Sequence, residues 1–200
     1  LRGSKMKETN NIEYIKKYFD DAKYIIDNIS KENISKVIDV LSDARKKGKK
    51  VFICGNGGSA STATHFAADL FKLAKIKAIS LNENAPLATA IINDEGWSEL
   101  YVHQLKMLYT EGDVLIAISV HGGSGTDKAG LWSQNLVKAI DYVNKNKGTT
   151  IGFSGFDGGA FKEITNVCVV VPFNSTPHVE SFHIVLEHLI TFRLHEGTRV

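Results

Sequence analysis

The chain has 200 residues, 43% of them apolar, enough for one compact domain with its own core and no disulfide or metal staple. Its 24 basic residues nearly balance 22 acidic ones, with no dense cationic block beyond residues 45–50, which excludes an electrostatic footprint for nucleic acid. No stretch approaches roughly 18 consecutive apolar residues, and no charged-then-apolar secretory pattern opens the chain, so the expectation is a cytoplasmic protein with neither membrane nor nucleic acid as partner.

Residues 1–5, ahead of Met6, read as a tag remnant and are set aside, leaving 6–200 as a single domain. Over residues 10–29, Ile12, Ile15, Phe19, Ala22, Ile25, Ile26 and Ile29 recur at helical spacing. Ser30 then caps a second helix through Ile34, Val37, Ile38 and Leu41, stopped by Lys46-Lys47-Gly48. Short apolar strands follow at 51–54, 78–81, 114–119, 150–154 and 167–171. Helices fit the intervals 59–73, 86–92, 98–109, 131–147 and about 177–194. Strands apolar on both faces, separated by helix-length segments, predict an α/β fold: a doubly wound five-stranded parallel sheet flanked by helices. Cys54 and Cys168 fall inside such strands and read as buried thiols rather than a disulfide or redox pair.

The loops at the strand ends carry the chemistry. Gly55-Asn56-Gly57-Gly58-Ser59-Ala60 follows the first buried strand and opens a helix. Glycines let the backbone approach an anion, and a helix amino terminus offers N–H groups and the positive end of its dipole. The spacing is neither that of a nucleoside triphosphate loop nor that of a dinucleotide-binding turn, so both readings fall. A second loop, Ser119-Val120-His121-Gly122-Gly123-Ser124, follows the third strand, at the sheet edge where open α/β sheets bind ligands. A third, Ser154-Gly155-Phe156-Asp157-Gly158-Gly159, reads as a structural turn.

Phe52-Ile53-Cys54-Gly55-Asn56-Gly57-Gly58-Ser59-Ala60, followed by His65-Phe66-Ala67-Ala68-Asp69, resembles the phosphoheptose isomerases of the sugar isomerase (SIS) family. Asn93-Asp94-Glu95-Gly96, residues 112–119 and residues 179–188 are similar to the family's later motifs in the same order. The resemblance implies interconversion of sedoheptulose 7-phosphate and D-glycero-D-manno-heptose 7-phosphate by a homotetramer; that the N-terminal helices serve assembly is read from the first helix, which has more apolar surface than a five-stranded sheet needs. The resemblance further implies a phosphosugar site formed by Asn56, Gly57, Gly58, Ser59, Asn93, Asp94, Ser119 and Ser124, to which His121, standing where the family prefers a hydroxyl, can also donate. It implies zinc on His65, Asp69, Glu180 and His188, with Asp69 as carboxylate base and His188 moving protons.

His65 and Asp69 stand four apart on a helix and so share a face. Glu180 and His188 are eight apart, about 12 Å along a straight helix, so they lean inward or serve sites in different subunits. His183 and Glu187 on the same helix are equally able to be ligands or surface residues. The family normally has glutamate at Asp69 and glutamine at Glu180, which moves a carboxylate across the site and makes Glu180 an alternative base. Val120 and His121 replace family hydroxyls, and residues 125–134, with Lys128 and Trp132, extend the family pattern. Against the isomerase stand two other readings, a non-catalytic SIS module that senses a phosphosugar or binds a protein, and a phosphosugar enzyme with a different substrate.

Overall fold

The computed structural model describes residues 10–123 and 133–198, so the expectations for residues 1–5, for Ser124 and for Lys128 and Trp132 lie outside the described residues. Two helices lead the chain, α1 (Asn11–Asn28) and α2 (Lys31–Lys46). Then come β1 (Lys50–Gly55), α3 (Gly58–Lys72), β2 (Lys77–Ser80), α4 (Ala85–Asp94), a single 3₁₀ turn (Trp97–Glu99) and α5 (Leu100–Leu108). The second half runs β3 (Val114–Ile118), α6 (Gln134–Lys145), β4 (Thr149–Gly155), α7 (Phe161–Ile164), β5 (Val167–Val171) and α8 (Thr176–Glu196).

Local chemistry sets these boundaries. Asn10 Oδ1 accepts from the Ile12 N–H at 2.9 Å and Ser30 Oγ from the Asn33 N–H at 3.1 Å, each satisfying a helix-start donor that has no partner within its helix. Asn84 does the same for α4, with a proline in its first turn. The helix expected from residue 98 begins instead as the 3₁₀ turn after Gly96, whose φ of +94° breaks the chain direction. The four-residue α7 was not expected, because one turn is too short to display a period; the buried Phe161 anchors it.

The five strands are all parallel in the order β2-β1-β3-β4-β5, with Ile53 beside Ile116 and Ile116 beside Ile151. Alternating side chains serve two cores, as a period of two requires. Val51, Ile53, Ile116 and Ile118 pack against α1, α2, α3 and α8 through Ile25, Val37, Leu41, Phe66 and Ile190. Phe52, Leu115 and Ala117 meet Tyr101, Leu105, Leu136 and Ile140 of α5 and α6. Truncating one of these fully buried side chains, as in Leu105→Ala, would cost about 2–5 kcal/mol.

This strand order puts the reversal of winding between β1 and β3, and the crevice outside their carboxyl ends is where such sheets take ligands. The glycine loops after β1 and β3 open into that crevice. Ile25 on α1 and Ile29 just after it are buried, whereas Ile12, Ile15, Phe19 and Ile26 of the helix remain exposed. Helix α8 is apolar on both sides: Val179, Phe182, Leu186 and Ile190 are buried, and Ile184, Val185, Leu189 and Phe192 face outward. Among the described residues no helix is long and apolar enough to cross a membrane.

Candidate functional site

The β1 loop is held from behind by a polar network. Asn82 exchanges hydrogen bonds with the Gly55 backbone, its Nδ2 donating to the carbonyl at 2.9 Å and its Oδ1 accepting from the N–H at 3.2 Å. The buried Tyr101 hydroxyl reaches the same carbonyl and Asn56 Oδ1. Burial raises the Tyr101 pKa, which keeps the hydroxyl protonated as a donor. Asn56 and the fully buried Asn135 pair through their amides. Gly57, at φ +58°, then turns the chain into α3, a left-handed conformation that favours glycine. Ser59 lies buried in the first turn.

The β3 loop is braced by its neighbour. Ser119 Oγ accepts from the Gly123 N–H at 3.2 Å, and the Gly122 carbonyl accepts from the Phe161 N–H at 2.9 Å. Gly122 (φ +63°) lies so close to the Gly158 carbonyl that a Cβ would sit 1.9 Å from its oxygen. The third loop is thus a backbone buttress for the second, which agrees with its reading as a structural turn. His121 is exposed at the rim, its ring 4.3 Å from that of Phe156. Asn93 and Asp94 end α4, exposed and hydrogen-bonded to each other at 2.7 Å, with no hydrogen bond to either glycine loop among the described residues.

Farther along α3, side chains able to hold a metal ion converge. His65, Asp69, Glu187 and His188 each offer a ligand atom, and these atoms all lie within 4.8 Å of one another. His65 Nε2 is 3.7 Å from Asp69 Oδ2, and His188 Nε2 is 3.4 Å from Glu187 Oε2. The two imidazole rings meet edge to face at 5.0 Å. Glu187 is 1% exposed, and among the described residues neither of its oxygens has a hydrogen-bond partner. Burial, then the neighbouring Asp69 charge, pushes its pKa up to about 8. Two imidazoles and two carboxylates, one of them the unpartnered buried Glu187, fit a divalent cation of the zinc type.

The sequence-based ligand set needs one correction. Three of its members, His65, Asp69 and His188, come together, but Glu180 does not join them; Glu187 takes the fourth place. Glu180 instead rests against Gly58 at the amino terminus of α3, its Oε1 2.6 Å from where a Cβ on Gly58 would lie. Pairing Glu180 with Gly58 and Glu187 with His65 sets α3 and α8 side by side in matching seven-residue steps, about 10 Å apart along the axes. The four candidate ligands all come from one chain.

Sequence reasoning left Glu187 undecided and missed Tyr101, Asn82 and Asn135. For Glu187 a signal existed: it falls one turn after His183 on a stripe with Val179, Leu186, Ile190 and Leu194. A carboxylate on the buried face of a helix asks for a partner. The amide network carried no signal, because its members come from three separate segments.

The sequence profile of the SIS domain family matches residues 17–155. Phosphoheptose isomerase of Helicobacter pylori is 35% identical over 164 residues, covering 80% of this chain and 81% of that protein. The same enzyme of Clostridium acetobutylicum is 35% identical over 186 residues, covering 90% and 87% respectively. Among solved structures, the phosphoheptose isomerase of Neisseria gonorrhoeae superposes with a TM-score of 0.81 at 26% identity, covering 94% of this chain and all of that one. The chain belongs to the SIS domain family.

Proposed function

We propose that the protein is a phosphosugar aldose–ketose isomerase of the phosphoheptose isomerase type, interconverting sedoheptulose 7-phosphate and D-glycero-D-manno-heptose 7-phosphate. One arrangement carries this reading: α3 bears the glycine loop at its start and, two turns on, the residues that meet Glu187 and His188. His65 follows Ser59 by about 9 Å along the helix axis, so a phosphate held at the loop directs the far end of a sugar chain toward the metal-binding group.

In this reading the N–H groups around Gly57 and Gly58 and the hydroxyls of Ser59, Ser119 and Ser124 hold the phosphate, with His121 at the rim. Asn56, Asn93 and Asp94 bind sugar hydroxyls. Zinc is the ion that His65, Asp69, Glu187 and His188 would hold, and when bound it supplies a Lewis acid for the sugar carbonyl. Asp69 takes the proton from the carbon next to the carbonyl and returns it to the former carbonyl carbon, while His188 moves a proton from the neighbouring hydroxyl to the carbonyl oxygen. Both lie in one group, so they act on adjacent carbons. Glu180, at Gly58, is too far from that group to be the base.

The exposed apolar faces of α1 and α8 support assembly into a homo-oligomer, a tetramer by family resemblance. The two buried, unpaired cysteines agree with a reducing cytoplasm. The reading is tested by assaying zinc-loaded protein on sedoheptulose 7-phosphate and following the aldose product. Conversion is expected. Binding without conversion would remove the isomerase reading and favour a phosphosugar-sensing module.

A further inference from the structure

The glycine loop after β3 uses up its own glycine donors. The Gly122 N–H donates to the Ser119 carbonyl at 3.2 Å, and the Gly123 N–H to Ser119 Oγ at 3.2 Å. Both glycines stand at positive φ, +63° and +72°, so the turn closes on Ser119 instead of opening those N–H groups to an anion. The side-chain donors left among the described residues of this loop are the Ser119 hydroxyl and the His121 ring.

His121 is exposed, and among the described residues neither of its ring nitrogens has a hydrogen-bond or ion-pair partner. An exposed histidine ordinarily turns between rotamers. This one is held from behind at two points. Its carbonyl presses on Gly159, where a Cβ would sit 2.1 Å from the oxygen. Its ring meets that of Phe156, with centroids 4.3 Å apart and planes at 42°. Phe156 keeps this place in a strained backbone: its φ is +55°, in the left-handed region that favours glycine. Its N–H donates to the Phe173 carbonyl at 3.3 Å, and its side chain packs at the edge of the core shared by α3 and α8. Glycine would take the same turn without strain, so the aromatic ring is what the strain secures. Strain of this kind gathers where a ligand has to be met by a group already in place.

We propose that His121 is the phosphate-contacting side chain of the second loop, a ring N–H donating to an oxygen of a phosphate monoester, and that Phe156 is the positioning residue that fixes its imidazole. An imidazole reaches farther than the hydroxyl the family prefers at this place, and in its protonated form it adds a positive charge. This chain thus replaces a short donor by a longer one and adds an aromatic support behind it. The ligand class rests on the phosphosugar reading above, whereas the role of Phe156 toward His121 does not depend on isomerisation.

Calorimetric titration with inorganic phosphate tests both roles, with the His121 imidazole signal in NMR as a second readout. His121→Ala should weaken phosphate by on the order of tenfold, as loss of a hydrogen bond to a charged group predicts. Phe156→Gly should weaken it by about threefold in the native background and leave it unchanged in the His121→Ala background, because its effect passes through His121. Phe156→Leu keeps the apolar packing and provides for a poorly folded Phe156→Gly; it should show the same dependence on His121. Phosphate should shift the His121 signal in the native protein. Native phosphate affinity in His121→Ala overturns the contact, as does a native protein that binds no phosphate. An equal loss from the Phe156 variants in both backgrounds would make Phe156 a packing residue and overturn its positioning role. Phosphate binding that depends on His121, in a protein that isomerises no phosphosugar, would refute the isomerase reading and leave this assignment standing.

Discussion

Asn56 and Asn135 form a reciprocal amide pair, each Nδ2 donating to the other's Oδ1 at 3.0 and 2.9 Å. The pair joins the glycine loop after β1 to the start of α6, 79 residues further along the chain. Asn135 is fully buried, so its partner cannot be replaced by bulk water. Asn135→Leu strands the Asn56 amide and should cost about 1–3 kcal/mol in urea unfolding. Tyr101→Phe should cost about 1 kcal/mol for the lost hydroxyl bonds. Both variants should also bind phosphate less tightly, since the loop they brace loses its fixed shape; a destabilised protein with native phosphate affinity would confine the network to a structural role.

Sugar phosphates should raise the melting temperature of the native protein, and the same sugars without phosphate should not. The argument is the convergence of two glycine loops and the Ser59 and Ser119 hydroxyls at one switch point of the sheet. Equal shifts from both kinds of sugar would remove the anion site.

Chelation should abolish isomerase activity, and added zinc should restore it. His65→Ala and His188→Ala should each lower metal affinity by on the order of tenfold or more, because each removes a ligand from a group of four. Asp69 and His188 belong to one chain's group, so mixing inactive Asp69→Asn chains with inactive His188→Ala chains should recover no activity. Recovery in verified mixed oligomers would place the two residues in different subunits' sites.

Acid should unfold the protein partly through His183. Burial pushes its pKa down from 6.5 to about 4, and its Nε2 is 3.1 Å from the Ser154 carbonyl. The folded state keeps the ring neutral while the unfolded chain takes up a proton below pH 6.5. Stability present above that pH is therefore lost as pH falls toward 4, by about 3 kcal/mol in all. Urea unfolding at pH 7 and pH 4.5 should show a smaller acid loss in His183→Gln than in the native protein. Equal losses would mean that His183 does not drive the effect.

The apolar outer face of α1 should hold subunits together. Ile15 and Phe19 are exposed on neighbouring turns. Charge at such a contact opposes burial, so light scattering of Phe19→Glu should report a smaller species than the native protein. A native protein that is already monomeric would sink the assembly.

The five strands, the seven longer helices and the glycine turns after β1 and β3 were legible in the sequence, because each rests on a period or on a turn chemistry confined to a few neighbouring residues. Ser30 announced its helix, and the apolar runs around Phe52 and Ile116 announced a covered parallel sheet. His65 and Asp69 could be paired because four residues on one helix always share a face. Which α8 carboxylate completes their group could not be read this way. Glu180 and Glu187 are separated by one heptad and so lie on the same stripe, and only the lengthwise register of α8 against α3 decides which one meets His65. That register is set by packing between elements more than a hundred residues apart in the chain. The Asn56–Asn135 pair and the contact of Gly122 with Gly158 arise in the same way, from close approach of distant backbone that no local pattern records.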